Sequence, residues 1–462
     1  MRPRLFVRRT RLPAAAEDAF RWHACPDALA RLAPPWLPVT VLSRSGGLED
    51  GARVVLGLRR GPVHWRWVAE HRDCLPGRQF CDVQVAGPFA FWEHTHRFEP
   101  AGPEACILED RIRYRLPFGP GGQLLAGWLV ERQLARLFAY RHAVTAQDLA
   151  AHAPCREGKP MHVLVSGASG LIGSALVPFL TTGGHRVTRL VRTTPPPEGA
   201  VAWNPDYGEL EASALEGLDA VVHLAGENIA RGRWTPEKKA RIRDSRVHGT
   251  RLLCETLARL ERPPQVLVSA SAIGYYGNRG DELLREESPP GDDFLAQVCR
   301  DWEAATAPAA ARGIRVVNLR LGVVLSPRGG ALAQMLTPFR LGLGGVVGTG
   351  RQYISWIAID DVVEIIHFCL LTESLKGPVN AVAPQPVTNA EFTRTLGRVL
   401  RRPTLLPLPA AVARLLFGEM ADALLLASTR VEPARLLASG YRFRYPELEG
   451  ALRHLLGKPR VA

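Results

Sequence analysis

Three glycines stand three residues apart in the stretch VLVSGASGLIGSALVPFL, residues 163–180: Gly167, Gly170 and Gly173. An apolar run of strand character precedes them and an apolar run of helical character follows. A tight turn, a pyrophosphate lying against main chain and a helix packed close to its strand each reject a Cβ. The helix N-terminus then turns free N–H groups and the positive end of its dipole toward phosphate. The pattern predicts a dinucleotide loop made of Gly167, Ser169, Gly170, Leu171, Ile172 and Gly173, with an ordinary turn as the competing reading. The next strand-like run, HRVTRLVR, ends at Arg192, and no Asp or Glu occurs between His185 and Pro197. An acid near this point holds the ribose 2′-OH of NAD, whereas a guanidinium fork suits a 2′-phosphate. NADP is therefore favoured, with NAD as the alternative; a solvated arginine is the plain reading of Arg192.

The surrounding elements must position this loop. The chain has 462 residues, room for two or three domains. Residues 1–152 open with a strand (FVRRTRL) and one or two short helices. Five alternating segments and one long helix, LLAGWLVERQLARLFAYRHAVTAQDLAAH, complete them. This order resembles the helix-grip fold of the START/Bet v 1-like, polyketide-cyclase-like superfamily, in which a curved sheet wraps the last helix around an apolar cavity. Trp22, Trp36, Trp65, Trp67, Phe91 and Trp92 are candidates to line that cavity around a hydrophobic ligand, or to form plain core. APCREGKP, about residues 153–160, reads as a linker. Residues 161–380 alternate β-branched strands with helical stretches, which predicts a parallel α/β sheet. Residues 381–462 are helical and rich in Leu and Ala.

Beyond the glycine loop, HLAGENIA, RWTPEKK, SRVHGTRLL, SAIGYYG, FLAQVCRDWE, RLGVVLSPRGGALAQMLTPFRLGLGG and GTGRQYISWIAIDD resemble an atypical short-chain dehydrogenase/reductase family. That family is epimerase-like, the NAD-dependent epimerase/dehydratase type with a C-terminal domain of unknown function. The resemblance spans about residues 161–458. It implies a Rossmann-like doubly wound parallel sheet with a small C-terminal α domain, here preceded by the α+β helix-grip domain. It also implies that Leu224, Ala225 and Gly226 pass the adenine ribose and pyrophosphate, that Arg246 reaches phosphate or ribose from its helix, and that Val323 lies by the nicotinamide.

Chemistry in that superfamily uses Ser, Tyr and Lys, with Tyr and Lys one helical turn apart. No Y-x-x-x-K occurs here. The five lysines are Lys159, Lys238, Lys239, Lys376 and Lys458, and Lys238 and Lys239 are expected just before the helix of Arg246. The helix that should carry the pair reads DDFLAQVCRDWEAA, with Phe294 or Leu295 in the Tyr slot and Val298 or Cys299 in the Lys slot. Ser271 resembles the superfamily serine, and Tyr275, with Tyr276 beside it, is the candidate proton donor. Arg351, Gln352 and Trp356 are candidate substrate contacts, and Asp360 and Asp361 are expected to cap the next helix.

Composition narrows the remaining classes. Eight cysteines lie scattered without C-x-x-C pairs or zinc spacing, so no metal site and a cytoplasmic location are expected. The start lacks an apolar core of signal-peptide type, and no apolar run is long enough to span a membrane. A formal charge of +13 invites nucleic acid, but the arginines alternate with Ala, Leu and acids and form no basic block; a small-molecule substrate is expected instead. Two readings remain for the whole chain: an oxidoreductase or epimerase acting on a small carbonyl or hydroxyl compound, and a catalytically silent NADP-binding sensor or scaffold.

Overall fold

The computed structural model describes residues 2–37, 39–60, 63–155 and 159–458. The chain forms two compact units, one of Met1–Pro160, Thr181–Gly184 and Leu456–Ala462, the other of Met161–Leu180 and His185–Leu455. Residues 156–158 of the expected linker lie outside the described residues.

The first unit runs β1 (Arg4–Leu12), α1 (Ala16–Ala24), α2 (Ala28–Leu32), β2 (Val39–Ser45), β3 (Arg53–Arg60), β4 (Val63–Leu75), β5 (Gln79–Ala86), β6 (Phe91–Pro100), β7 (Cys106–Arg115) and α3 (Gly119–Ala151). The strands form one antiparallel sheet in the order β1-β7-β6-β5-β4-β3-β2. Register shifts at Val41/Ser43 and within β4–β5 supply the local twist that bends such a sheet. Leu134 and Phe138 of α3 pack on Trp92 and Ile112, and Leu149 packs on Leu12 and Leu108. Arg31 of α2 donates two 2.8 Å bonds to buried Asp148 of α3. This is the helix-grip order expected from sequence. A cavity of about 360 Å³ lies between sheet and helix. Trp67 and Trp92 line it, whereas Trp22 is core, Trp36 meets Tyr140 edge-on, Trp65 is exposed and Phe91 lies under Arg113.

The second unit carries β8 (His162–Ser166), α4 (Gly173–Thr182), β9 (Arg186–Val191), β10 (Ala200–Asn204), β11 (Glu209–Leu210), β12 (Ala220–His223), α5 (Pro236–Ala258), β13 (Val266–Ala272) and α6 (Phe294–Ala304). The strands Arg315–Leu321 and Gly377–Ala381 complete its main sheet, in the order β11-β10-β9-β8-β12-β13, then these two. All pairings are parallel except β10 with β11. Val163, Leu164, Val165, Val221, Leu267 and Val317 are fully buried, as central strands covered on both faces require. From β8 the chain builds outward one way through β9 and β10, then returns to place β12 on the other side of β8. That reversal opens a crevice at the C-terminal ends of β8 and β12, where open α/β sheets bind ligands.

One hydroxyl ties the two strand ends. Ser166 Oγ accepts from the main-chain N–H groups of Leu224 (3.0 Å) and Ala225 (3.3 Å). Its own proton goes to His223 Nδ1, 2.7 Å away. His223 is fully buried, and burial lowers its pKa to about 4. The unfolded chain takes up a proton near pH 6.5 that the folded protein refuses until about pH 4, so the stability held above pH 6.5 is lost as pH falls toward 4. Between pH 7 and pH 5 this histidine alone removes about 2 kcal/mol. In His223→Asn, whose amide oxygen can still accept from Ser166, the loss of unfolding free energy between those pH values, read by urea titration, should shrink by that amount; an unchanged loss would refute the assignment.

Candidate active site

Gly167 has φ +66°, and a Cβ there would come 2.8 Å from the carbonyl of Leu224. A Cβ on Gly173, the first residue of α4, would come 2.3 Å from the oxygen of Gly167. Gly170 closes the turn through its N–H on Gly167 O at 2.9 Å. Ser169 and Gly170 are exposed, while Leu171 and Ile172 are half-buried. The Leu171 side chain reaches Gly329 and Gly330, which follow the short strand Val323–Leu325. That strand pairs with Trp356–Ala358, and Val323 N donates to Ser355 O at 2.8 Å. The glycine loop, the end of β12 and the segment after Val323 therefore frame one crevice. Arg192 stands exposed one residue beyond β9.

Arg246 lies in the middle of α5, against the main chain at Gly226. It donates to Ile242 O (2.9 Å) and Glu227 O (3.0 Å) and its guanidinium lies 5.0 Å from the Trp302 ring centroid. Burial lowers its pKa. The Glu227 carboxylate in turn pairs with Lys238. This corrects one expectation: Lys238 and Lys239 do not precede the Arg246 helix but sit in its first turns. Thr235 caps the helix by accepting from Lys238 N, with Pro236 next, a start signal that TPEKK carried.

The cluster around Ser271 is built on three adjacent strands and the helix α6. Ser271 of β13 pairs in register with Arg320, and Arg320 with Asn380. Ser271, 1% exposed, donates to Glu303 Oε1 at 2.7 Å. Glu303 holds Arg320 through two bonds, 2.8 and 2.9 Å. Arg320 lies 3.5 Å from the centroid of the Tyr275 ring and also donates to Tyr276 OH at 3.0 Å. Tyr276 OH donates to Asn380 Oδ1 at 2.7 Å, and burial pushes its pKa up to about 12. Arg320 and Glu303 were not foreseen, and they put a cation beside Tyr275 where the sequence offered no lysine.

The other candidates divide. Phe294 stacks edge-on with Trp234, and burial pushes the Cys299 thiol up to about 12, so it is no nucleophile at neutral pH. Gln352 donates to Val347 O and Leu425 O, and fully buried Trp356 to Gln385 O; both hold loops, while Arg351 is exposed. Asp360 and Asp361 lie in the first helical turn after Ala358, which is the cap position. Asp361 accepts from the main-chain N–H groups of Arg444 and Tyr445 instead.

Removing one partner of a buried ion pair leaves the other charge uncompensated. Glu303→Gln is expected to destabilise the second unit by about 3 kcal/mol or more, read by urea unfolding. Adding Arg320→Met should recover most of that loss; a double variant no better than the single would show that the charge pair is not the cause.

Three family matches divide the chain. Residues 12–141 match polyketide cyclase / dehydrase and lipid transport, 163–381 match the NAD dependent epimerase/dehydratase family, and 408–455 match a domain of unknown function, DUF1731. Epimerase family protein Mb2239 of Mycobacterium bovis is 46% identical over 297 residues, 64% of this chain and 98% of that protein. The solved nucleoside-diphosphate sugar epimerase from Corynebacterium glutamicum has a TM-score of 0.81 at 36% identity, covering 98% of this chain and 90% of its own. Human epimerase family protein SDR39U1 (isoform 2), solved with NADPH, has a TM-score of 0.59 at 39% identity over 64% of this chain and 99% of its own. Among described residues, no helix is long and apolar enough to cross a membrane. With its glycine cradle at the strand reversal and relatives aligned over nearly their full length, the chain belongs to the epimerase family of NAD(P)-binding short-chain dehydrogenase/reductase proteins.

Proposed function

We propose that the second unit binds NADP(H) at the β8–β12 reversal and acts as an oxidoreductase or epimerase on a small carbonyl or hydroxyl compound. The observation that carries this reading is the cradle at Gly167 and Gly173, where main chain occupies the space of any Cβ and leaves the start of α4 open to phosphate. Arg192, exposed just past β9 with no acid nearby, favours the 2′-phosphate over a free 2′-OH. The human relative's solved complex with NADPH supports the same choice.

The nicotinamide, when bound, gives or takes the hydride at the substrate carbon. Tyr275 passes its hydroxyl proton to the substrate oxygen in reduction and takes it back in oxidation. Arg320 under its ring opposes the negative charge that forms when the proton leaves. Ser271 orients the substrate oxygen once its hydroxyl turns from Glu303. A second reading is favoured by that same bond: with Ser271 committed to Glu303 and no Y-x-x-x-K pair, the unit is a silent NADP-binding sensor. The first unit, on its largely apolar cavity, is read as the holder of a hydrophobic ligand.

NADPH fluorescence titration of the full chain is expected to show saturable binding, weakened about tenfold or more by Arg192→Glu with little change for NADH. No binding at millimolar nucleotide refutes both readings. Turnover on a carbonyl panel that is lost in Tyr275→Phe, with binding kept, selects the enzyme; binding without turnover selects the sensor.

A further inference from the structure

In the first unit, antiparallel pairing sets His71 opposite Asp82, Asp82 opposite His94, and His96 opposite Asp110. His71, Asp82, His94 and His96 all line the cavity. We propose that Asp82, His94 and His96 hold a divalent transition-metal ion of the zinc class, with its open coordination positions facing the cavity.

The spacing fits. Asp82 Oδ2 lies 3.2 Å from His96 Nε2 and 3.7 Å from His94 Nδ1, and all three ligand atoms fall within 4.8 Å of one another. A tetrahedral ion with bonds of about 2.1 Å sets its ligands about 3.4 Å apart. The far nitrogen of His94 is held as metal-binding histidines require, and that of His96 lies close to the same carboxylate. His94 Nε2 is hydrogen-bonded to Asp110 Oδ1 at 2.9 Å, and His96 Nδ1 lies 2.6 Å from the same oxygen. Asp110 is itself anchored by His142 Nε2 at 2.6 Å, and His142 Nδ1 is bonded to Thr10. The His96 ring is stacked on Phe80 at 4.2 Å, which fixes its direction.

The ligand types fit as well. Asp82 and Asp110 sit among the imidazoles of His71, His94, His96 and His142, and Arg141 lines the same cavity. Two imidazoles and one carboxylate suit zinc, iron, nickel or copper better than calcium or magnesium. Arg141 Nε is buried without a hydrogen-bond partner among the described residues, so an oxygen ligand on the ion would find a second positive group beside it. The cavity's apolar walls, among them Leu56, Leu134 and Phe138, would take the rest of such a ligand.

The test uses the full chain after EDTA treatment, with Zn²⁺ and Co²⁺ as probes. One equivalent of Zn²⁺ should bind, and Co²⁺ should give the intense visible absorption of a four-coordinate site. Acetohydroxamate, a small oxygen chelator, should shift that band. Asp82→Asn and His96→Gln should each weaken Zn²⁺ binding more than tenfold, and Asp110→Asn about tenfold to a hundredfold through the outer shell, with far-UV circular dichroism unchanged. Should these variants fail to fold, X-ray absorption on the wild-type Zn²⁺ complex decides, since imidazole and oxygen scattering is required. No uptake at about ten times micromolar protein, variants with wild-type affinity, or a zinc spectrum without imidazole overturns the site. A cobalt band indifferent to acetohydroxamate overturns the open positions.

Discussion

Main chain packed against main chain, with no volume left for a Cβ, is the constraint on which the second unit rests. β8 and β12 run parallel as neighbours, so the chains leaving them must separate within one residue. Gly167 permits it with φ +66° and contact to Leu224. Ser166, one residue earlier, fixes the gap from the other side by bonding to two N–H groups of the opposing loop. A methyl at 167 would push Leu224 away and strain both bonds. The disturbance would travel to Gly226, and so to Arg246, which lies against it. The features that make the crevice fit a dinucleotide are thus mechanically one feature, because each is held by the next.

The buried pair of Arg320 and Glu303 is a different kind of constraint. A buried ion pair adds little net stability, since desolvation offsets most of its attraction. What it does here is positional. Glu303 takes both the hydroxyl of Ser271 and the fork of Arg320, and so fixes a cation against the face of Tyr275. A lysine one helical turn from a tyrosine reaches its hydroxyl edge; a strand-borne guanidinium reaches its ring. The charge is supplied by a different element and felt through a different part of the phenol.

Local pattern carried the glycine loop, the parallel strands and the helix-grip order, because each is written in residues close together in the chain. Arg320 escaped for a physical reason. In RVVNLRLGVVL two arginines five apart fall on opposite faces of a strand, and nothing local says that Arg320 is 2% exposed or that its partner lies 17 residues away on a helix. Asp82, His94 and His96 escaped the same way. His94 and His96 stand two apart on β6 and so share a face, but Asp82 comes from β5, and only the register sets it beside them. The start of α5 is written locally, in the Thr235 cap and Pro236 at the first helical position. Of six aromatics named for the cavity, only Trp67 and Trp92 reach it, since alternation along a strand does not tell which face is lined and which is filled.

The excess of arginine is also partly internal. Lys and Arg total 58, and only five are lysine. Arg31 spans α2 and α3 through Asp148. Arg315 donates to the carbonyls of Cys369, Leu370 and Leu375, closing the end of the helix Ile359–Leu371, whose last carbonyls have no partner within the helix. Arg435 donates to the carbonyls of Lys376 and Pro378 at the start of the strand Gly377–Ala381, and Arg444 pairs with Glu364. Each task needs several donors in a fixed plane, which guanidinium offers and an ammonium does not. Part of the arginine excess is therefore turned inward, and the arginine count overstates what a polyanion would meet at the surface.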